Sequence, residues 1–331
     1  MTTEPEEYEG SLTEMVCDVI NELPLQVKRR LYALKGIGNW KETIAKHNQE
    51  IGALQRKYHA LYQNIYAQRV AILTGSFEPD SVSIRAGADF AYQRDLRRAE
   101  KEKVAPPPQE TEVVQETVDG TIVGIPNFWL TALKHHPDFC DQITERDAKV
   151  LEHLIDIREE MAPNPYHGFK LFFEFGPGAK TYFAEQVLVK EYTTKEVEQD
   201  TVFVNAVGCP ITWKDNEHNV TVMLQKRKQR NRRGGQTRVT TKEIPCDSFF
   251  NFFTPPRRST KEEINDAIAS GEGTKDDDEL RVQDYELGCL FRDEIIPQAV
   301  DFYSGFAAYN QGYDDSDEDD EDDAEDDFED V

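Results

Sequence analysis

Residues 23–73 read LPLQVKRRLYALKGIGNWKETIAKHNQEIGALQRKYHALYQNIYAQRVAIL, and their spacing sets the architecture. Apolar or aromatic residues fall at Ile37, Trp40, Ile44, Ile51, Leu54, Tyr58, Leu61, Ile65 and Ile72. With His47 and Gln68 filling the two gaps, the steps alternate between three and four. A strict 3.5-residue period is the mark of a coiled-coil seam rather than of an ordinary surface helix. About fifty helical residues at 1.5 Å each span roughly 70 Å, longer than a domain of this size is wide. Such a helix cannot cover its stripe on its own domain, so a second copy of the chain is the expected cover. Ahead of this stretch the stripe runs Val27, Leu31, Leu34, Ile37, Trp40, with three successive three-residue steps beside Gly36 and Gly38. That stammer predicts a local overwinding or bend. Pro24 stands where a helix start tolerates it, and Gly75 and Pro79 end the run.

The composition fits an acidic binding protein. Hydrophobic residues make up 38% and charged residues 31% of the 331, with a net charge of −26. Fourteen of the last eighteen residues are Asp or Glu, which leaves about −12 on the remainder. Such a field repels DNA and anionic membranes and attracts basic proteins. Cys17, Cys140, Cys209, Cys246 and Cys289 form no CxxC and no Cys/His cluster, which suits a reducing compartment and argues against structural zinc. The acidic residues 1–10 carry no secretory signal, and no apolar run approaches a membrane span. His135 and His136 are adjacent, so on a helix they diverge; His153, His167 and His218 lack ligand spacing, and no phosphate loop or nucleophile motif occurs. No catalytic, cofactor or metal residues are assigned, and an enzyme is not expected.

Five regions follow. Residues 1–22 are an acidic segment with a short helix over Ser11–Asn21, 23–74 the long helix, and 75–121 an accessory segment and linker. Within the third, Arg85–Lys103 reads as a charged helix halted by Pro106-Pro107-Pro108. Residues 122–312 have globular composition, and 313–331 are an acidic tail. In the globular part, Phe128–Ile143 reads as a short helix and a turn around Pro137. Thr144-Glu145-Arg146-Asp147 reads as a capping box opening a helix to about Met161. Phe169–Phe175 alternates with period two and is a strand; Val187–Tyr192, Thr201–Val204, Ile211–Lys214 and Val220–Gln225 are further strand candidates. Gly234-Gly235 turns the chain into Thr237–Ile244 as an antiparallel hairpin, and helical segments follow at Cys246–Phe253, Asp278–Phe291 and Asp293–Tyr309. Helices, then antiparallel strands, then helices make an α+β chain.

Several blocks of this chain, in order, resemble the nucleosome assembly protein family. They are LPLQVK (23–28), GIPNFWLTAL (124–133), ITERDA (143–148), GCPITWKDNEHNVTV (208–222), RKQRN (227–231), DSFFNFFTPP (247–256) and IIPQAVD (295–301). The related histone chaperones that inhibit a phosphatase match GIPNFWLTAL and FFNFFTPP less closely. The resemblance implies a long dimerisation helix followed by a domain with a four-stranded antiparallel sheet packed on helices. It implies an obligate homodimer with antiparallel long helices, and the heptad spacing assigns Ile37, Trp40, Ile44, His47, Ile51, Leu54, Tyr58, Leu61 and Ile65 to the seam. It further implies a histone chaperone that binds core histones, chiefly the dimer of histones 2A and 2B, meets DNA only through histones, and shuttles between cytoplasm and nucleus.

Each candidate residue has a plain alternative. In the tail, Asp314, Asp315, Asp317, Glu318, Asp319, Asp320, Glu321, Asp322 and Asp323 form a polyanion that competes with DNA phosphate for histone Lys and Arg, or that merely keeps the chain soluble. Phe328 is an anchor for an apolar patch or an incidental residue. Asp141, Glu145, Asp147, Glu152, Asp156 and Asp247 are candidates for a folded acidic surface, or an ordinary solvated face. Glu152 and Asp156 are placed on one helix face, and Asp147 doubles as a cap. The basic run Lys226, Arg227, Lys228, Arg230, Arg232 and Arg233 reads as a nuclear-import signal for an import receptor, a contact with DNA or a partner subunit, or a charged hairpin that discourages edge pairing. Leu25, Val27, Leu31 and Leu34 fit loose nuclear-export spacing, or helix packing. Ser316 lies in an acidic kinase context. The competing assignment for the whole chain is an acidic scaffold, or a phosphatase-inhibitor-like regulator, of basic partners.

Overall fold

The computed structural model describes residues 23–36, 40–106, 108, 122–197, 200–230, 237–257 and 277–307. The expected Ser11–Asn21 helix and the acidic tail lie outside them. Within the long stretch the described residues form α1 (Leu25–Gly36) and α2 (Trp40–Leu73), and residues 37–39, where the stammer falls, lie outside the described residues. By its 34 residues, α2 is about 50 Å long. It stops at Gly75, whose φ of +68° a side chain would resist.

A third helix, α3 (Ser81–Glu102), starts four residues before the expected Arg85 because the Asp80 carboxylate caps it, accepting from the Ser83 N–H at 2.7 Å. Lys103 closes it in the left-handed conformation. Its anchor to the body is Arg94, which donates to Asp301 at 2.6 Å and lies over the Phe306 ring.

Short helices α4 (Phe128–Lys134), α5 (Pro137–Cys140) and α6 (Glu145–Leu151) precede a sheet of β1 (Leu154–Met161), β2 (Gly168–Phe175), β3 (Val187–Val197) and β4 (Asp200–Gly208). The four strands pair antiparallel in chain order. One face of the sheet is apolar: Phe169, Leu171, Phe173 and Phe175 of β2 are buried beside Leu188 and Tyr192 of β3. Phe249, Phe250 and Phe253 of a tight 3-10 turn (Phe249–Phe253), with Phe291, cover it; Phe173 meets Phe253 and Phe291 edge-on at 5.1 Å each. Helix α7 (Asp277–Leu290) runs into a widened turn, and α8 (Ala299–Tyr303) follows. Strands β5 (Val222–Arg230) and β6 (Thr237–Pro245) form a separate hairpin, in register from Val222↔Pro245 to Arg230↔Thr237.

Lys190 points into this core and is fully buried. Its ammonium donates to the Asp284 carboxylate and the Phe252 carbonyl, and Tyr192 donates to the Asp284 carbonyl at 2.9 Å. Burial pulls Lys190 down to about 8 and Asp284 upward, while their mutual attraction opposes both. The pair ties α7 to β3.

Three expectations fail. The helix opened by the capping box stops at Leu151, and residues 154–161 are a strand. A register shift between Leu154 and Asp156 inserts an extra residue, so Val150, Leu151, Leu154 and Ile155 mimic a helical stripe although the last two belong to a sheet edge. Ile211–Lys214 forms only an isolated bridge, Phe183↔Trp213, because the Asp215 carboxylate captures the Glu217 and His218 N–H groups at 3.0 Å and turns the chain. Asp293–Tyr309 is not one helix: Ile296 donates to the Phe291 carbonyl across a five-residue step, and Pro297 has no N–H to continue the ladder.

Candidate functional site

Helix α6 and the residues beside it carry most of the acidic candidates of the folded part. Its capping box is complete: the Asp147 N–H donates to Thr144 Oγ1 at 3.2 Å, and the Thr144 N–H donates back to Asp147 Oδ2 at 2.9 Å. Asp147 has no exposed surface. It also accepts from the Ser248 hydroxyl and from the Phe249 N–H at 3.1 Å, which pins the 247–256 block to the helix. The adjacent Arg146 donates to the Asn219 carbonyl at 2.6 Å and the Val222 carbonyl at 2.8 Å, which holds the 208–222 block. Three of the recognisable sequence blocks are thus joined by two neighbouring side chains.

The acidic candidates therefore divide. Asp141, Glu145, Glu152 and Asp247 are exposed. Glu145 and Glu152, seven residues apart across α6 and its cap, share one face. Asp247 is next to the Ser248 that binds Asp147, so it stands at the N-terminal end of the same helix. Asp147 is internal and presents no carboxylate to solvent. Asp156 is corrected more strongly: it lies on β1, not on a helix face with Glu152, and only 6% of it is exposed.

Sequence reading missed a polar seam between α2 and β1. His59 sits 3.4 Å from the buried Glu159 carboxylate, and Gln63 donates to the Glu159 carbonyl at 3.4 Å. Arg69 donates to the Ile296 carbonyl and lies over the rings of Tyr66 and Trp129 at 4.6 and 4.9 Å. Burial lowers Arg69 and pushes Asp156 up to about 6; the charges of the two attract across the seam. Burial also raises Glu159, against the pull of His59. The one available signal was His59, Gln63 and Arg69 lying off the apolar stripe on a second side of α2.

The stripe itself stays uncovered on the chain. Leu54, Tyr58 and Leu61 are about half exposed and Ile65 59%, while Ile44 and Ile51 are partly covered. His47 is exposed. Ile37 lies outside the described residues, and of Trp40 only the backbone is described. Leu25, Val27 and Leu34 are exposed and Leu31 is half-buried, so packing does not hide the export-like segment in the described chain. Lys226, Arg227, Lys228 and Arg230 fall on β5; Arg232 and Arg233 lie outside the described residues, as do Asp314–Asp323 and Ser316.

A cavity of about 340 Å³ opens where the C-terminal end of α2, residues 123–129 and the start of β1 meet. Among the described residues, no cluster of His, Cys, Asp and Glu suits a metal ion, and no helix is long and apolar enough to cross a membrane.

Comparison with known proteins places this geometry among relatives. The family model described as Nucleosome assembly protein (NAP) matches residues 29–306. A nucleosome assembly protein of Saccharomyces cerevisiae is 37% identical over 305 residues, covering 90% of this chain and 70% of its own. Human nucleosome assembly protein 1-like 4 is 34% identical over 304 residues, covering 87% and 76%. Among solved structures, nucleosome assembly protein 1 from Plasmodium knowlesi, at 24% identity, covers 86% of this chain and 99% of its own with a TM-score of 0.52, a likeness of fold.

Proposed function

Because the chain belongs to the nucleosome assembly protein family, we propose that it is a histone chaperone that binds core histones, prefers the dimer of histones 2A and 2B, and promotes nucleosome assembly and disassembly. The observation that carries this is the family match across residues 29–306. The physical basis is charge. A body of about −12 and a tail holding fourteen acids offer histone Lys and Arg an alternative to DNA phosphate. Asp141, Glu145, Glu152 and Asp247 supply the folded part of that surface. No covalent chemistry is part of the proposal.

We also propose that the working unit is a homodimer. Supporting this is the half-exposed row Leu54, Tyr58, Leu61, Ile65 on α2, which an antiparallel second copy would cover. Movement between cytoplasm and nucleus, with the basic β5 run as import signal and Leu25, Val27, Leu31 and Leu34 as export signal, completes the proposal.

The test mixes the protein with the 2A–2B dimer and DNA at physiological salt. A chaperone binds the histones and suppresses their non-nucleosomal contacts with DNA. Failure at both sinks the idea. Tight binding that vanishes with residues 313–331 would instead favour a polyanionic scaffold.

A further inference from the structure

We propose that the groove at the C-terminal end of α2 is an anchor point for a basic peptide segment of the histone, which seats one aliphatic or aromatic side chain there and sets a neighbouring Lys or Arg on Glu152. This rests on the histone reading above and adds to it a specific apolar contact.

The groove is an open cleft on the surface. Its volume of about 340 Å³ is in the range of small-ligand pockets, and Leu73, Trp129 and Leu154 line it while being buried themselves. Val123, at its lip, is 69% exposed, and the preceding Ile122 is equally open. Both walls are fixed in advance. The Ile125 N–H donates to the Leu73 carbonyl at 3.0 Å, and a Cβ on Gly124 would stand 2.0 Å from that same oxygen. On the opposite wall a Cβ on Gly178 would meet the His153 ring at 2.6 Å. A site held this rigidly loses little entropy when it binds.

Its polar groups suit a cationic peptide. Asn127 is held at φ +58°, caps nothing, is exposed, and has no side-chain hydrogen bond among the described residues. Its amide is available to a peptide backbone. The last four carbonyls of α2 are already paired, with the N–H groups of Thr74, Phe77, Gly75 and Ile125, so the charge at the groove comes from side chains. Glu152, exposed at the end of α6, adds a full negative charge on the same rim. A guest with an apolar side chain beside a Lys or Arg satisfies the apolar lining, the Asn127 amide and Glu152, whereas an acidic side chain would meet repulsion from Glu152.

The experiment measures 2A–2B affinity for the full chain and three variants. Val123→Asp puts a charge at the lip and should weaken binding about tenfold. Glu152→Gln and Asn127→Gly should each cost about threefold; glycine keeps the positive φ, so the backbone is unchanged. A photo-crosslinking residue at position 123 should trap a histone segment in which an apolar residue adjoins Lys or Arg. Wild-type binding with unaltered affinity in folded Val123→Asp, or with no such crosslink, overturns the groove proposal alone. Absence of wild-type binding takes both readings down.

Discussion

Asp147 and Asp156 sit nine residues apart and show how environment decides what a carboxylate does. Asp147 is buried but accepts four hydrogen bonds, from Thr144 N–H and Oγ1, Ser248 Oγ and Phe249 N–H. Asp147→Ala should cost about 3 kcal/mol, since it strands several buried donors. Urea denaturation checks this. A loss under 1 kcal/mol would mean the network adds nothing. Asp156 has less support: among the described residues its Oδ1 has no hydrogen-bond partner, and neither have Nε and Nη2 of Arg69. With its pKa raised from 3.8 to about 6, the folded state holds the proton more tightly than the unfolded chain. That contribution is fully present below pH 3.8 and is lost as pH rises through 6. It amounts to roughly 2–3 kcal/mol. Asp156→Asn removes the titration, so the variant's stability profile should be flatter than wild type between pH 4 and 6.5. Superimposable profiles would refute this.

At the scale of elements, α2 serves two sides. One carries His59, Gln63 and Arg69 to β1 and the core, and the other leaves the apolar row open. Introducing Ile51→Asp with Leu61→Asp would place unpaired charge in the proposed seam, a penalty of several kcal/mol. Light scattering should then report monomers. An intact dimer would mean that the seam lies elsewhere. The α6 capping box was legible because Thr144 and Asp147 act over three residues of sequence. The end of α6 was not, because the bulge near Ile155 is defined only by pairing with β2, whose partner residues are remote in sequence. Asp80 is a further local signal: its cap sets the start of α3 at Ser81, four residues before Arg85.

For the whole molecule, charge is divided between a folded body and a tail. Deleting residues 313–331 removes fourteen acids and leaves about −12. Histone affinity should fall by about tenfold at low salt and by much less at 0.5 M, where screening already weakens the tail. Isothermal titration at two salt concentrations separates the contributions. Loss of all binding at both would assign recognition to the tail alone and count against the body surface and the groove together.

Sequence alone determined what depends on local spacing and on composition. The 3.5-residue stripe, the β5–β6 hairpin, the capping box and the acidic balance are each written within a few neighbouring residues or in simple counts. Tertiary structure decided which charges are available. Asp147 and Asp156 look like Glu145 and Glu152 in sequence, yet packing against Ser248, Phe249 and α2 removes the first two from solvent and leaves the others exposed. Burial is a property of contacts between residues more than a hundred positions apart, and no period of three, four or two encodes it.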